Sequence, residues 1–195
     1  MNTNVIIVDN FYSGDSAYNV RSFALDQEFE VSGNFPGYRT KPFGYYLKDY
    51  IQDIVRHAGG LITDFDNISY NTSYQYTTKN DSSWIHADQT TTWAGVCYLT
   101  PYASVNTGTA LYRHKETGLS EAPRNEDGTY DNEKLDIIYN DCRDYSKWDL
   151  VDQIGNKFNR LVLYRGDLFH CSLEYFGEDK FTGRLFQTFF FNTEY

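Results

Sequence analysis

The chain has 195 residues, a formal net charge of −10 and a sequence pI near 4.7. That length supports one domain with a substantial core that needs no covalent staples. The acidic balance argues against tight binding to nucleic acid or to an anionic membrane surface, because neutralising phosphates takes clustered Lys and Arg. The three cysteines, Cys97, Cys142 and Cys171, are odd in number and lack CxxC spacing, which suits a reducing compartment and packing as small apolar residues. Met1 to Asp9 carries no basic signal-peptide region, and no stretch has the length of a membrane-spanning helix, so a cytoplasmic location is expected.

Val5 to Val8 is a short apolar run suited to a buried strand. Ser16 to Phe29 places Val20, Phe23, Ala24 and Phe29 at helical spacing, with Asp15 or Ser16 as cap. After the turn at Asn34-Phe35-Pro36-Gly37, helical spacing returns over Tyr45 to His57, with His57 as a C-terminal cation and Gly59-Gly60 as the stop. The period then changes. Ile68–Thr78, Ser83–Ala87, Thr91–Thr100, Thr109–His114, Arg160–Tyr164, Asp167–Leu173 and Arg184–Asn192 read as strands rich in β-branched and aromatic residues. The fold class expected is mainly β with N-terminal helices: a jelly roll of two sheets over 63–195, buttressed by a helical segment over 1–62. The polar excursion over about 116–159 carries expected helices at Glu133–Tyr139 and Ser146–Ile154, and reads as a lid or a surface elaboration.

The chemistry concentrates in His86-Ala87-Asp88, His170 and Arg184. Side chains at i and i+2 of an extended chain share a face, so His86 and Asp88 point together. A histidine from a distant strand would complete two imidazoles and one carboxylate on one side of a metal, the open-sided set that suits non-haem Fe(II). A lone HxD arises often by chance, and a lone His in an apolar strand is commonly a core residue. The combination with Arg184, fourteen positions past His170, raises both above that base rate. Cys171 faces away from His170 on a regular strand and is not a ligand. His114 is the rival third ligand, ranked lower because no glycine turn accompanies it. Arg184 enters the most apolar strand of the chain; it either pairs with Glu178 or Asp179, or offers its fork of donors to a carboxylate. Trp84 and Trp93 wall the pocket or fill the core. Arg39, after the Pro-Gly turn, is a weak candidate for substrate binding beside a turn role, and Tyr112-Arg113-His114-Lys115 reads as a charged strand end.

Together, His86-x-Asp88, Gly108-Thr109, Gly166-Asp167-Leu168-Phe169-His170 and Arg184 after Gly183 resemble the Fe(II)/2-oxoglutarate-dependent oxygenases, above all the prolyl-hydroxylase-like branch. The resemblance covers about Tyr74 to Asn192. Val20 to Leu25, Pro36 to Thr40 and Ile154 to Leu161 are similar to a bacterial and phage subgroup of that superfamily. It implies a double-stranded β-helix with Fe(II) held by His86, Asp88 and His170. It further implies 2-oxoglutarate and O2 as co-substrates, with Arg184 on the distal carboxylate. Tyr76, ten residues before His86, and Tyr98 are the implied tyrosine candidates for the co-substrate. Relatives often carry Ser or Thr two residues after the arginine. Phe186 stands there, so the hydroxyl partner is sought at Tyr76, Tyr98 or Thr188. Halogenating relatives lack the carboxylate that Asp88 supplies, so the implied outcome is hydroxylation of a small molecule or a protein side chain. Two other readings stand beside it: a non-catalytic jelly-roll binding or virion-associated protein, and a cupin-like metal enzyme that uses no 2-oxoglutarate.

Overall fold

In the computed structural model the described residues are 3–58 and 60–194. Met1, Asn2, Gly59 and Tyr195 lie outside them, and with Gly59 the first half of the expected Gly59-Gly60 stop. The elements in chain order are β1 (Val5–Asp9), α1 (Ser16–Asp26), β2 (Tyr38–Pro42), α2 (Lys48–Val55), β3 (Leu61–Asp64), β4 (Ser73–Thr77), β5 (Trp93–Tyr98), β6 (Thr109–His114), α3 (Asn132–Asn140), β7 (Trp148–Ile154), β8 (Arg160–Arg165), β9 (His170–Ser172) and β10 (Arg184–Glu194). The fold is mainly β, with two antiparallel sheets and few helices, as the strand-rich pattern predicts. Among the described residues, no helix is long and apolar enough to cross a membrane.

The large sheet runs β1-β8-β5-β10-β4-β2, with β3 paired to the far end of β10. The small sheet runs β7-β6-β9. Alternation along each strand divides the molecule into three apolar layers. Trp93, Cys97, Leu161, Leu163, Leu185, Phe189 and Phe191 point from the large sheet onto α1 and α2, meeting Ala24, Ile51 and Val55. Ala94, Val96, Tyr98, Val162, Tyr164 and Phe186 point the other way, between the sheets. On the outer face of the small sheet, Tyr112, Trp148, Phe169 and Cys171 pack with Leu135 and Ile138 of α3.

Several elements depart from the sequence pattern. Ser146–Ile154 was expected as a helix; Ser146 lies in a 3-10 turn and Trp148–Ile154 is β7, in register with β6 from His114↔Trp148 to Thr109↔Ile154. Val151 and Ile154 sit at helical spacing, but β6 would otherwise leave one edge of backbone donors and acceptors unpaired, and that requirement wins over local periodicity. The polar excursion is thus built into the fold through β7 and α3. The helical buttress over 1–62 also supplies β1, β2 and β3 to the large sheet. The run Ile68–Thr78 is strand only from Ser73, because Tyr70 and Thr72 turn the chain at φ of 65° and 64°. Ser83–Ala87 forms no ladder, and only His86 makes a bridge, to His170. α1 is shorter than Ser16–Phe29, and Tyr45–His57 splits into a 3-10 turn and α2.

Ile51 is fully buried where α2 meets the large sheet. Ile51→Ala is expected to lower unfolding free energy by roughly 2–5 kcal/mol, measured by urea denaturation, whereas Tyr46→Ala, on the exposed side, is expected to change it by less than about 0.5 kcal/mol.

Candidate metal centre

His86 and His170 face each other as an antiparallel bridge that exchanges both backbone bonds, His86 N to His170 O at 3.0 Å and His170 N to His86 O at 2.8 Å. The imidazole centroids lie 4.5 Å apart. Asp88, two residues on, is tied to the same turn: its amide donates to the Gly166 carbonyl at 2.6 Å, while Gly166 donates to Thr92 O at 3.0 Å. This clasp needs a glycine. A Cβ on Gly166 would stand 2.2 Å from Thr91 O and 2.7 Å from Asp88 O, so the Gly-Asp turn serves close backbone approach.

The result is a group of three possible metal ligands, His86, Asp88 and His170, with one donor atom from each within 4.8 Å of the others. Nδ1 of His86 lies 2.9 Å from Trp84 O, and Nδ1 of His170 lies 2.8 Å from Leu168 O. A carbonyl only accepts, so Nδ1 carries a proton on both rings, which leaves Nε2 of each as the nitrogen available to a metal. Backbone acceptors behind ligand histidines orient the rings and set their tautomer in this way. Nε2 of His170 stands 3.4 Å from Asp88 Oδ2. Lone pairs and a carboxylate gathered in one place repel one another unless a cation joins them, so the donor set fits a divalent metal. Burial, with the neighbouring His170 ring, pushes His86 down to about 4 against the pull of Asp88. Burial works to raise Asp88, but the two imidazoles beside it, His170 foremost, outweigh that and hold the carboxyl below its ordinary value. Both shifts keep the ligands unprotonated near neutral pH.

The three side chains stand at the wall of a cavity of about 1010 Å³ between the sheets. Trp84, Tyr139, Tyr164, Thr109, Phe186 and Phe190 also line it. Arg184 lies one layer behind Phe186 and Thr109 and is 1% exposed. Its Nε donates to Thr107 O at 2.8 Å and its Nη2 to Gly108 O at 3.3 Å, while Nη1 is buried with no partner. The guanidinium packs on the rings of Phe186 at 4.5 Å and Tyr98 at 5.3 Å. The acidic partners weighed for it are engaged elsewhere: Glu178 pairs with Lys79, and Asp179 accepts from Thr182 and Phe181. A buried cation with a spare donor and no carboxylate partner among the described residues is costly, and a carboxylate ligand would answer it.

Tyr98 points inward, its hydroxyl 2.8 Å from Thr109 Oγ1 at the edge of the cavity, within the surroundings of Arg184. Tyr76 does not. It lies on the outward face of β4, against the rings of Tyr38 at 5.3 Å and Phe29 at 4.9 Å, so its expected role at the co-substrate falls away. On β4 it is Gln75, the neighbouring and opposite-facing residue, that lines the cavity. Thr188 lines it too, but its hydroxyl donates to Tyr70 O at 2.6 Å, with Ser73 O also near at 3.1 Å. His114, the rival ligand, is buried on the far side of the small sheet, between Thr117 and Asp141 and against Trp148. Cys171 faces Tyr112 and Tyr145, away from the metal group. Trp84 walls the cavity, whereas Trp93 belongs to the core under the helices. Arg113 pairs with Asp149 at 2.7 Å on the surface.

Two side chains that sequence reading passed over or ranked low stand in the cavity: Gln75 and Arg39. The available signal was alternation on β4, where Ser73, Gln75 and Thr77 are polar between two tyrosines. In a barrel whose outer face is clad by helices, polar residues turn inward.

Residues 1–191 match the profile of DUF6445, described as a family of unknown function. The chain belongs to that family. No curated protein matches the sequence. Among solved structures, HygX from Streptomyces hygroscopicus, with nickel and 2-oxoglutarate bound, superposes with a TM-score of 0.62 at 12% identity, covering 100% of this chain and 84% of its own. The same protein with hygromycin B also bound gives 0.63 at 13%, with the same coverage. A prolyl hydroxylase from Trichoplax adhaerens, in complex with a hypoxia-inducible factor oxygen degradation domain peptide fragment, gives 0.55 at 14%, covering 96% and 83%. At such identities the likeness concerns the fold. This member of DUF6445 has the double-stranded β-helix of the Fe(II)/2-oxoglutarate dioxygenases.

Asp88→Ala is expected to lose most affinity for Ni(II) or Mn(II) in calorimetric titration while keeping its circular dichroism spectrum. Gly166→Ala, which touches no donor atom, is expected to weaken the same binding and to cost about 1–3 kcal/mol of stability by overpacking; unchanged binding would dissociate the turn from the site.

Proposed function

We propose that this chain is a non-haem Fe(II)- and 2-oxoglutarate-dependent dioxygenase that hydroxylates a C–H bond of a small molecule or a protein side chain. The observation that carries the reading is one interior holding both an open-sided group of two histidines and an aspartate and, behind Phe186 and Thr109, a buried arginine with a donor left over. Fe(II) held by His86, Asp88 and His170 supplies, with O2 and 2-oxoglutarate, the power to convert C–H to C–OH while the keto acid leaves as succinate and CO2.

The residues of the chain do the rest. Trp84 O and Leu168 O orient the two imidazoles, so their lone pairs need no reorganisation on metal binding. Arg184 meets the distal carboxylate of 2-oxoglutarate with its free Nη1, and Tyr98, held by Thr109, stands beside it. Val96, Phe186 and Phe190 turn apolar surface to the cavity, which limits water around the oxidant. Asp88 leaves no room for a halide ligand, in keeping with hydroxylation. The likeness to HygX, a structure with 2-oxoglutarate and nickel in it, supports the same reading at the level of fold.

Anaerobic addition of Fe(II) and then 2-oxoglutarate is expected to produce the visible charge-transfer band of a chelated keto acid, absent in Asp88→Ala. A folded protein that binds Fe(II) without the band would point to a metal enzyme of another kind. Arg184→Ala is expected to weaken 2-oxoglutarate binding at least tenfold, as losing a charged hydrogen bond of about 1.5–3 kcal/mol requires, with the metal affinity retained.

A further inference from the structure

A buried cation other than Arg184 lines the cavity itself. Arg39, on β2, is 8% exposed and lines the space that the metal group opens into. Its Nε donates to Gln75 Oε1 at 2.5 Å, and Gln75 is itself fixed by donating to Pro36 O at 2.5 Å. The guanidinium carbon lies over Phe35, 3.9 Å from the ring centroid, with the centroids of Tyr70 and Phe190 at 5.1 and 5.6 Å. Among the described residues no carboxylate comes within ion-pair reach of it, and its two terminal nitrogens have no hydrogen-bond partner. Burial lowers its pKa to about 10, and Asp88 is the carboxylate whose field opposes that most, so the arginine is charged at neutral pH and within electrostatic reach of the metal group.

The neighbourhood is built to hold this cation and leaves its fork unused. One side is engaged by Gln75, three aromatic rings surround the guanidinium carbon, and the residue lines the cavity. Asp64, also on the lining, bonds its neighbour Asn67 instead. A largely buried guanidinium without a counter-charge is unfavourable, and a planar carboxylate is the partner its geometry matches best. Arg184 already answers the co-substrate's distal carboxylate in the reading above, which leaves Arg39 for the other ligand.

We propose that Arg39, oriented by Gln75, binds the carboxylate of a small-molecule substrate whose apolar body lies against Phe35, Tyr70 and Phe190. This inference rests on the dioxygenase reading for the word substrate, but the anion site is measurable without turnover. It narrows the substrate class from small molecules and protein side chains in general to a free carboxylic acid.

The test uses Ni(II)-loaded full-length protein saturated with 2-oxoglutarate. Matched pairs of carboxylates and their amides, from acetate and acetamide to 3-phenylpropionate and 3-phenylpropionamide, are titrated with ligand-observed NMR. The expected result is at least tenfold preference for the acid in the larger pairs, lost in Arg39→Gln and reduced in Arg39→Lys, with 2-oxoglutarate affinity within about threefold of the parent in both. Equal binding of acid and amide by the parent overturns the proposal without any variant having to fold. Acid preference that survives in folded Arg39→Gln also overturns it. If Arg39→Gln instead loses 2-oxoglutarate more than tenfold while Arg184→Ala does not, Arg39 is the co-substrate anchor and the substrate assignment falls. If the parent binds no 2-oxoglutarate at all, the dioxygenase reading fails first; acid preference dependent on Arg39 in the Ni(II) protein alone would still establish the anion site.

Discussion

The clasp between the Asp88–Thr92 segment and the Gly166 turn is the constraint on which the rest of the site depends. Backbone meets backbone there with no room for a Cβ, and the bonds made at that approach bring a loop that forms no ladder of its own into register with β9. His86 and Asp88 are then held by the main chain rather than by side-chain packing. Main-chain hydrogen bonds have fixed length and direction, so this is a precise way to bring donors from distant parts of the chain together. The cost is that every group behind the clasp must accommodate it, which is why β8 ends at Arg165 and the chain turns before it can present His170.

The second organising feature is a separation of faces. On the large sheet, one side of each central strand is apolar and covered by α1 and α2; the other side looks into the space between the sheets. The covered side carries most of the burial energy, at roughly 25 cal/mol per Å² of apolar surface. The inner side is left free to hold groups that a plain core would reject, two arginines, a glutamine and threonines, on the side toward the histidines and aspartate of β9 and the loop before β5. Arg39 and Arg184 are both desolvated, both stacked on aromatic rings, and both lack a carboxylate partner among the described residues. A protein selected only for stability would have little use for them, since buried charge is tolerated mainly where something pairs with it.

The sequence and the structure agree most closely where chemistry and local geometry coincide. HxD and the Gly-Asp turn before His170 carry their geometry within a few residues, and Arg184 does begin the most apolar strand. Tyr76 shows the opposite case. Its position ten residues before His86 was suggestive, but which face of β4 it occupies is set by where α1, β2 and Phe29 lie, and a shift of one residue along a strand reverses every side chain. Arg39 is a related case. A turn explains an arginine after Pro-Gly equally well until Gln75, Phe35 and Tyr70 are seen around it.

The sequence by itself determined the donor set and the fold class, because ligand chemistry, turn residues and strand periodicity are properties of short segments. Only the tertiary structure decided that Trp148–Ile154 is a strand, that Tyr76 faces out and Gln75 in, and that Arg39 lines the cavity while Arg184 is buried behind Phe186. Those outcomes depend on the partner each backbone edge finds and on the layer each face is packed against, and neither is encoded within any one segment.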